Sequence, residues 1–327
     1  MKAIQRLLSS CMILDLMIKG KNIMLMQDTT KKKQEEKTME EEKKNDERAE
    51  HKEKVKNTLD SIHRVYGSKH SCYGVFLDYD GLHNILYGLK VSSFTVLAGQ
   101  TGVGKTSLAL NIALKWTMLR DWKRTVIIYT MEMTKEQAFV KLLSMAIGID
   151  LRNLDTENCP DDVAEKLYET GEKIKSAIYI IGRRGISAYD VLQHQAGLIV
   201  IDDIQSMVFG QYPQDPIDAK DLNEVSNQLA SRNIPCYGNR TPILAISRLS
   251  SSIDRRNDKK PRLSDLETKA LKDDADAVLL MREDEKDRRY VDIEVAKSRY
   301  GKTDGVKLYF DKPTGRFLDE KPNDSKK

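Results

Sequence analysis

Eight consecutive residues constrain this chain more than any other feature: Gly99-Gln100-Thr101-Gly102-Val103-Gly104-Lys105-Thr106. They satisfy the pattern G-x-x-x-x-G-K-[ST] in full. Such a segment works only between a buried strand and a helix. Its glycines let successive backbone N–H groups turn inward around phosphate oxygens, and the helix behind it aims its positive end at the same point. The flanks agree. Phe94–Ala98 is an apolar, strand-like run, and Leu108, Ile112 and Trp116 recur at helical spacing after the loop. Here Lys105 is expected to neutralise the β- and γ-phosphates of a nucleoside triphosphate, and Thr106 to ligate Mg²⁺. A glycine-rich turn that binds nothing would not need the complete pattern with both flanks in place.

From about Ser68 onward, short β-branched runs alternate with helical patterns, as in an α/β domain. The runs are Phe94–Ala98, Thr125–Tyr129, Ile178–Ile181, Leu198–Ile201, Ile243–Ile246 and Ala277–Met281. Their near-continuous apolar character suits strands covered on both faces, hence a mostly parallel sheet. Val291–Ala296 and Val306–Phe310 alternate more clearly and read as a hairpin at one sheet edge, with residues 299–304 between them. The domain is expected over residues 69–320, followed by a polar tail, 321–327.

Two carboxylate positions follow strands. Leu198-Ile-Val-Ile-Asp202-Asp203 ends a strand on acid, at the sheet edge where open α/β folds bind ligands. One of the two aspartates is expected to hold the Mg²⁺ shell; spacing does not choose between them, and a helix N-cap is the competing role. Glu132 lies just past Thr125–Tyr129, placed to polarise an attacking water. It competes with a capping-box role, because Thr130 and Met133 bracket a helix start, and Thr134 to Gln137 also fits S/T-x-x-E/Q.

The N-terminal part reads differently. Residues 1–27 are apolar and Met-rich, with Asp15 interrupting the run and no small-residue cleavage site after it. A docking or amphipathic helix therefore fits better than a signal peptide, and translation starting at Met24, Met26 or Met39 is a third option. Residues 28–68 form a charged linker: within 31–56, ten residues are Lys or Arg and nine are Asp or Glu. That composition gives a solvated helix or a disordered extension rather than a packed core. Over the whole chain, 54 Lys+Arg against 50 Asp+Glu, a net charge of +4, exclude a uniformly basic, histone-like protein. Four scattered cysteines, Cys11, Cys72, Cys159 and Cys236, form no CxxC pair or Cys/His cluster, so neither structural zinc nor a disulfide framework is expected. A reducing, cytoplasmic setting follows. No apolar run reaches the ~18 residues of a membrane span.

The ordered set of motifs resembles the motor domain of DnaB-type replicative helicases. Tyr79-Asp-Gly-Leu-His-Asn-Ile-Leu-Tyr-Gly88-Leu89, the phosphate loop, Tyr129-Thr-Met-Glu132-Met and Ile201-Asp202-Asp-Ile-Gln205 come in that family's order. Ala245-Ile-Ser-Arg248-Leu, Lys260-Pro-Arg-Leu-Ser-Asp265-Leu-Glu267, Asp274-Ala-Asp276 and Lys297-Ser-Arg299-Tyr-Gly301 continue it, covering about residues 74–318. The resemblance implies a RecA-like P-loop NTPase core that uses ATP and Mg²⁺, assembles as a homohexameric ring and moves on single-stranded DNA in DNA replication. It implies Glu132 as the catalytic base and Asp202 as the Mg²⁺-side carboxylate. It also implies Lys297 and Arg299 as the basic pair that reaches the neighbouring subunit's γ-phosphate. A helicase loader is a candidate partner, and no membrane is.

The chain departs from the family pattern in several places. Asp203 stands where a large aromatic is usual, and Arg248 where the γ-phosphate-sensing segment has Gln. Arg offers five donors and no acceptor, so the same hydrogen-bond switch cannot operate unchanged. The DNA-facing loop, Ser264–Asp274, is one residue shorter and carries Lys269 where Gly is expected; Lys269, Lys272 and Arg248 are the candidate DNA contacts. The segment between Ile181 and Leu198 is also shorter than usual. The charged linker stands in place of the family's helical N-terminal domain, so primase contact by the usual route is not expected. An ATP-driven helicase is the reading that results. The alternative is a RecA-like regulatory ATPase, a helicase regulator or recombination mediator, that binds without unwinding. A paralogue with no turnover fits less well, since no catalytic position is lost.

Overall fold

A computed structural model describes residues 39, 43, 46, 48–50, 52–59, 74–119, 125–155, 157–208, 219–231 and 241–322. The expected apolar segment 1–27 and residues 323–327 of the tail lie outside these. The chain divides into two units, residues 1–62 and 63–327. In the first, residues 52–59 are helical and exposed, and Lys54 pairs with Glu50 at 2.6 Å. Among the described residues no helix is long and apolar enough to cross a membrane.

The second unit is built on a nine-stranded sheet. Its strands are β3 (Phe94–Gly99), β4 (Val126–Thr130), β5 (Ile178–Gly182), β6 (Leu198–Asp202), β7 (Ile243–Ser247), β8 (Ala277–Glu283), β9 (Tyr290–Ser298), β10 (Gly305–Asp311) and β11 (Arg316–Leu318). A two-stranded sheet pairs β1 (Gly74–Val75) with β2 (Leu89–Lys90). The spatial order of the large sheet is β11-β10-β9-β8-β3-β7-β6-β4-β5. The six strands from β8 to β5 are mutually parallel, and β9, β10 and β11 are antiparallel additions.

Strand parity explains why the six runs read as continuously apolar. Val126, Ile128, Leu198, Val200, Leu244 and Ile246 join one core. The intervening Ile127, Tyr129, Ile199, Ile201, Ile243 and Ala245 join the other. Successive side chains of a strand point to opposite faces, so both faces must be apolar when both are covered. The first face is covered by α2 (Lys105–Met118) and α3 (Lys135–Ile147), which contribute Leu108, Ile112, Trp116 and Leu142. The second is covered by α5 (Ala188–Leu192), α6 (Ala219–Ser231) and α7 (Lys269–Asp274), through Val191, Val225, Leu229 and Leu271. The remaining helices are α1 (Asp80–Leu86) and α4 (Asp161–Ala177).

The sequence-predicted hairpin is β9–β10, but it does not form the sheet edge. β11, a three-residue strand, pairs outside β10. It is held there by the buried Phe317, which stacks on Phe310 with ring centroids 4.3 Å apart. Asn111, buried on α2, donates to the Gly315 carbonyl at 2.8 Å and accepts from the Phe317 N–H at 3.3 Å. Both polar ends of a buried amide are thus used to fasten the terminal strand to the helix behind the phosphate loop. Replacing Phe317 by Ala leaves a cavity under that loop, and such core truncations cost about 3–5 kcal/mol. Chemical denaturation is expected to show a correspondingly lower midpoint with an unchanged slope.

Candidate active site

The carboxyl ends of β3, β7, β6 and β4 are consecutive in the sheet, although the chain visits them in the order β3, β4, β6, β7. Where the path leaves β3 to begin on the far side of β7 and β6, a crevice opens at the strand ends. A cavity of about 470 Å³ lies there, and its lining includes Lys105, Thr106, Glu132, Lys141, Asp202 and Arg248.

Residues 99–104 form the turn between β3 and α2. Gly102 and Gly104 have φ of 85° and 98°, the left-handed region that a Cβ disfavours. Gly104 also has no room, since a Cβ would stand 2.9 Å from a Phe310 ring carbon. Lys105 opens α2 and folds over the loop, donating to the carbonyls of Gly99 at 2.8 Å and Gln100 at 3.0 Å. Burial lowers its pKa, opposed by the nearby Asp202, Glu132 and Asp203 carboxylates.

The two aspartates separate by parity. Asp202 is the last residue of β6, in step with Leu198 and Val200, which face α2. Its oxygens lie 3.0 and 3.2 Å from the Thr106 hydroxyl, which donates to them. Burial, opposed by the Thr106 hydroxyl and reinforced by the Glu132 and Asp203 charges, pushes its pKa up to about 6. One hydroxyl and one carboxylate are a hard-oxygen pair, and among the described residues no group of three or more His, Cys, Asp or Glu forms a closed metal cage. That donor set fits Mg²⁺, which keeps water and phosphate oxygens in its shell. Asp203 has left the strand. It accepts from the Ser206 N–H at 2.9 Å and from Arg248 Nε at 2.5 Å.

The competing role for Glu132 is taken by other residues. Thr134 accepts from the Gln137 N–H at 3.2 Å, and the Gln137 side chain accepts from the Thr134 N–H at 2.9 Å. That reciprocal pair is the capping box of α3. Glu132 precedes it, half-exposed in the cavity, with Arg248 Nη2 at 3.5 Å from its carboxylate.

The sequence that builds this site matches a named family. Residues 74–319 match the family described as DnaB-like helicase C terminal domain. The chain belongs to that family. The replicative DNA helicase DnaC of Bacillus subtilis is 28% identical over 285 residues, covering 82% of this chain and 61% of that protein. The replicative DNA helicase DnaB of Geobacillus stearothermophilus is 27% identical, with the same coverage. The chain therefore spans about three fifths of the length of these curated relatives. Among solved structures, an isolated ATPase domain superposes with a TM-score of 0.69 at 22% identity, covering 83% of this chain and 98% of that one. A DnaB-like replicative helicase, solved in a study of its interactions with primase, gives a TM-score of 0.65 at 23% identity, covering 75% and 63%. These likenesses establish the RecA-like α/β fold.

The other family positions lie away from the cavity. Arg299 donates to Asp276 Oδ1 at 3.0 Å and to the Asp273 carbonyl at 3.2 Å. The second oxygen of the buried Asp276 accepts from the Phe94 N–H at 2.8 Å. Phe94 begins β3, whereas Gly99 ends it, so roughly 16 Å of extended strand separates this anchor from the phosphate loop. Lys297 lies on β9 and donates to the carbonyls of Lys272 at 2.6 Å and Asp273 at 3.0 Å. Burial, followed by the neighbouring Arg299 charge, lowers its pKa.

One sequence expectation changes here. The segment Ser264–Asp274 is not an open loop: residues 263–265 form a 3₁₀ turn, and Lys269–Asp274 is α7. Its polar sequence buries only Leu271, too little to show a helical period. Lys269 is exposed, 3.9 Å from Asp273. Arg248, grouped in the sequence with the candidate DNA-contacting lysines, puts its guanidinium in the cavity that Lys105, Thr106, Glu132 and Asp202 line. Lys141 of α3 was not foreseen as a cavity residue. Its only sequence signal is a cation nine positions after Glu132 on the next helix.

Gly104→Ala adds both a strained φ and a clash, while at Gly102 nothing stands within 4 Å of an added Cβ. Both substitutions carry the left-handed backbone penalty of about 1–2 kcal/mol. Gly104→Ala is expected to lose more thermal stability than Gly102→Ala, as read by melting the two variants side by side.

Proposed function

We propose that the chain is an ATP-hydrolysing motor that acts on single-stranded DNA in replication as a ring of identical subunits. The observation that carries this reading is the cluster at one sheet edge of Lys105, Thr106, Asp202 and Glu132. Family membership and the names of the relatives, both replicative DNA helicases, support it.

In this reading the inward-turned amides of residues 99–104 and the Lys105 ammonium bind the β- and γ-phosphates. Thr106 and Asp202 hold Mg²⁺, which when bound supplies charge neutralisation to the phosphates. Glu132 orients and deprotonates the attacking water. Lys297 and Arg299 serve the neighbouring subunit. Arg299 is anchored through Asp276 at the start of β3 and Lys297 at the end of α7, which keeps both from their own phosphate loop, and a cation delivered across an interface links hydrolysis to the neighbour's position. Lys269 and Lys272, at the exposed side of α7, contact DNA phosphates.

Lys105→Ala is expected to abolish ATP turnover. Glu132→Gln is expected to keep nucleotide binding while hydrolysis falls by about 10²–10⁴-fold; loss of binding with no separate hydrolytic defect would exclude Glu132 as the base.

The regulatory-ATPase reading rests on Arg248, whose guanidinium lies against the proposed base. The two separate on a DNA-dependence assay. A motor is expected to hydrolyse ATP faster with single-stranded DNA, and Lys269→Ala with Lys272→Ala to remove the stimulation and flatten the salt dependence of binding. A rate indifferent to DNA, with no DNA bound at low salt, would favour the regulatory ATPase.

A further inference from the structure

Asp203 and Arg248, both charged residues of the cavity, have no part in the mechanism above. Asp203 is buried, with its side chain 3% exposed. A buried carboxylate is costly unless it is paired and hydrogen-bonded, and Asp203 is both. Oδ1 takes the Ser206 N–H, closing the turn after β6, and Oδ2 takes Arg248 Nε. Arg248 Nη2 donates to the Ser206 hydroxyl at 3.1 Å and stands 3.5 Å from Glu132. The turn also holds the Arg248 backbone. The Gln205 side-chain oxygen accepts from the Arg248 N–H at 3.2 Å, and its Nε2 donates to the Ser247 hydroxyl at 2.9 Å. Main chain and guanidinium are therefore both fixed from residues 203–206.

We infer that Asp203 is a positioning residue that fixes Arg248 as a second cation of the phosphate cavity, supplied by the same subunit and directed at the terminal phosphate of a nucleoside triphosphate. The inference rests on reading the cavity as the triphosphate site. A free arginine loses side-chain entropy when it binds, whereas a guanidinium already clamped at Nε is preorganised. Its planar fork suits a phosphate oxygen pair better than an ammonium does. The terminal phosphate is also the group that ADP lacks. A cation aimed there separates triphosphate from diphosphate, whereas Lys105, folded over the loop at Gly99 and Gln100, also faces the β-phosphate that both nucleotides carry. Asp203 and Arg248 are thus one unit: removing the carboxylate frees the guanidinium and leaves the charge in place but undirected.

The test is equilibrium binding of ATPγS and of ADP, each with Mg²⁺, to the parent, Asp203→Asn, Arg248→Gln and the double variant. Asn keeps an acceptor for the Ser206 N–H but turns an amide toward Arg248 Nε. The parent is expected to prefer ATPγS. Each single substitution should cut that preference by about tenfold, and the double variant should lose no more than Arg248→Gln alone, because coupled residues are non-additive. Melting curves close to the parent's would separate this from loss of structure. An unchanged preference in either single variant, or losses that multiply in the double, would overturn the inference. Should Asp203→Asn not fold, Arg248→Lys keeps the charge without the fork, and the parent's preference in that variant would overturn it equally. Lys105→Ala is the control. If it leaves ATPγS affinity intact, the site assignment fails; if it weakens ATPγS while the Asp203 and Arg248 variants keep the parent's preference, only the present inference fails.

Discussion

The parallel strands from β8 to β4 must hide both of their faces, and the rest of the molecule follows from that. Burial on two sides requires helices above and below, and crossover connections supply them. The same requirement sends loops out at the carboxyl edge, where the strands stop and the helices have not yet begun. The phosphate loop, the Glu132 turn, the Asp202–Asp203 step and Arg248 all occupy that edge. Each is delivered by a strand whose register is fixed through hydrophobic contacts on both faces, as Val96↔Ala245 and Val200↔Leu244 illustrate.

Much of this was legible in the sequence, for physical reasons. Five of the six runs are buried and apolar at nearly every position, and the sixth, Ile178–Ile181, is apolar although Tyr179 is exposed, so their pattern survives without knowledge of their neighbours. The phosphate loop is legible because two backbone requirements, left-handed φ and tight clearance, both select glycine. What remained hidden was short or relational. β1 and β2 have two residues each and β11 has three, too few to show a period. In α7 the helix rests on Leu271 alone among its buried residues. The choice between Asp202 and Asp203 was open by spacing; strand parity puts Asp202 beside Thr106, because the side facing α2 recurs at every second residue back to Leu198. The pairing of Asp203 with Arg248 spans 45 positions and leaves no local trace. As isolated departures from a family pattern they looked like two separate losses, yet in the fold they neutralise each other.

Charge at the site is arranged in opposition rather than in one sign. Asp202, Asp203 and Glu132 converge on a space also held by Lys105, Lys141 and Arg248. The carboxylates oppose the lowering of the Lys105 pKa that burial causes. The guanidinium is held protonated, first by its bond to Asp203. A ligand carrying several negative charges enters such a place without meeting an uncompensated field of either sign.

The ammonium of Lys297 rests on the last carbonyls of α7. A six-residue helix has little stability of its own, since nucleation consumes most of what its few hydrogen bonds return. Leu271 at its centre and the cation at its end supply the remainder, the latter in the favourable direction of the helix dipole. The helix is therefore conditional: any stronger acceptor that draws the ammonium away takes this donor from the Lys272 carbonyl, leaves the Asp273 carbonyl to Arg299, and shifts the last turn toward fraying. Lys272 lies in that turn, and Lys269 opens the helix. A single side chain on β9 thus sets how firmly two outward-facing cations are held relative to one another, and does so without touching either of their charged ends.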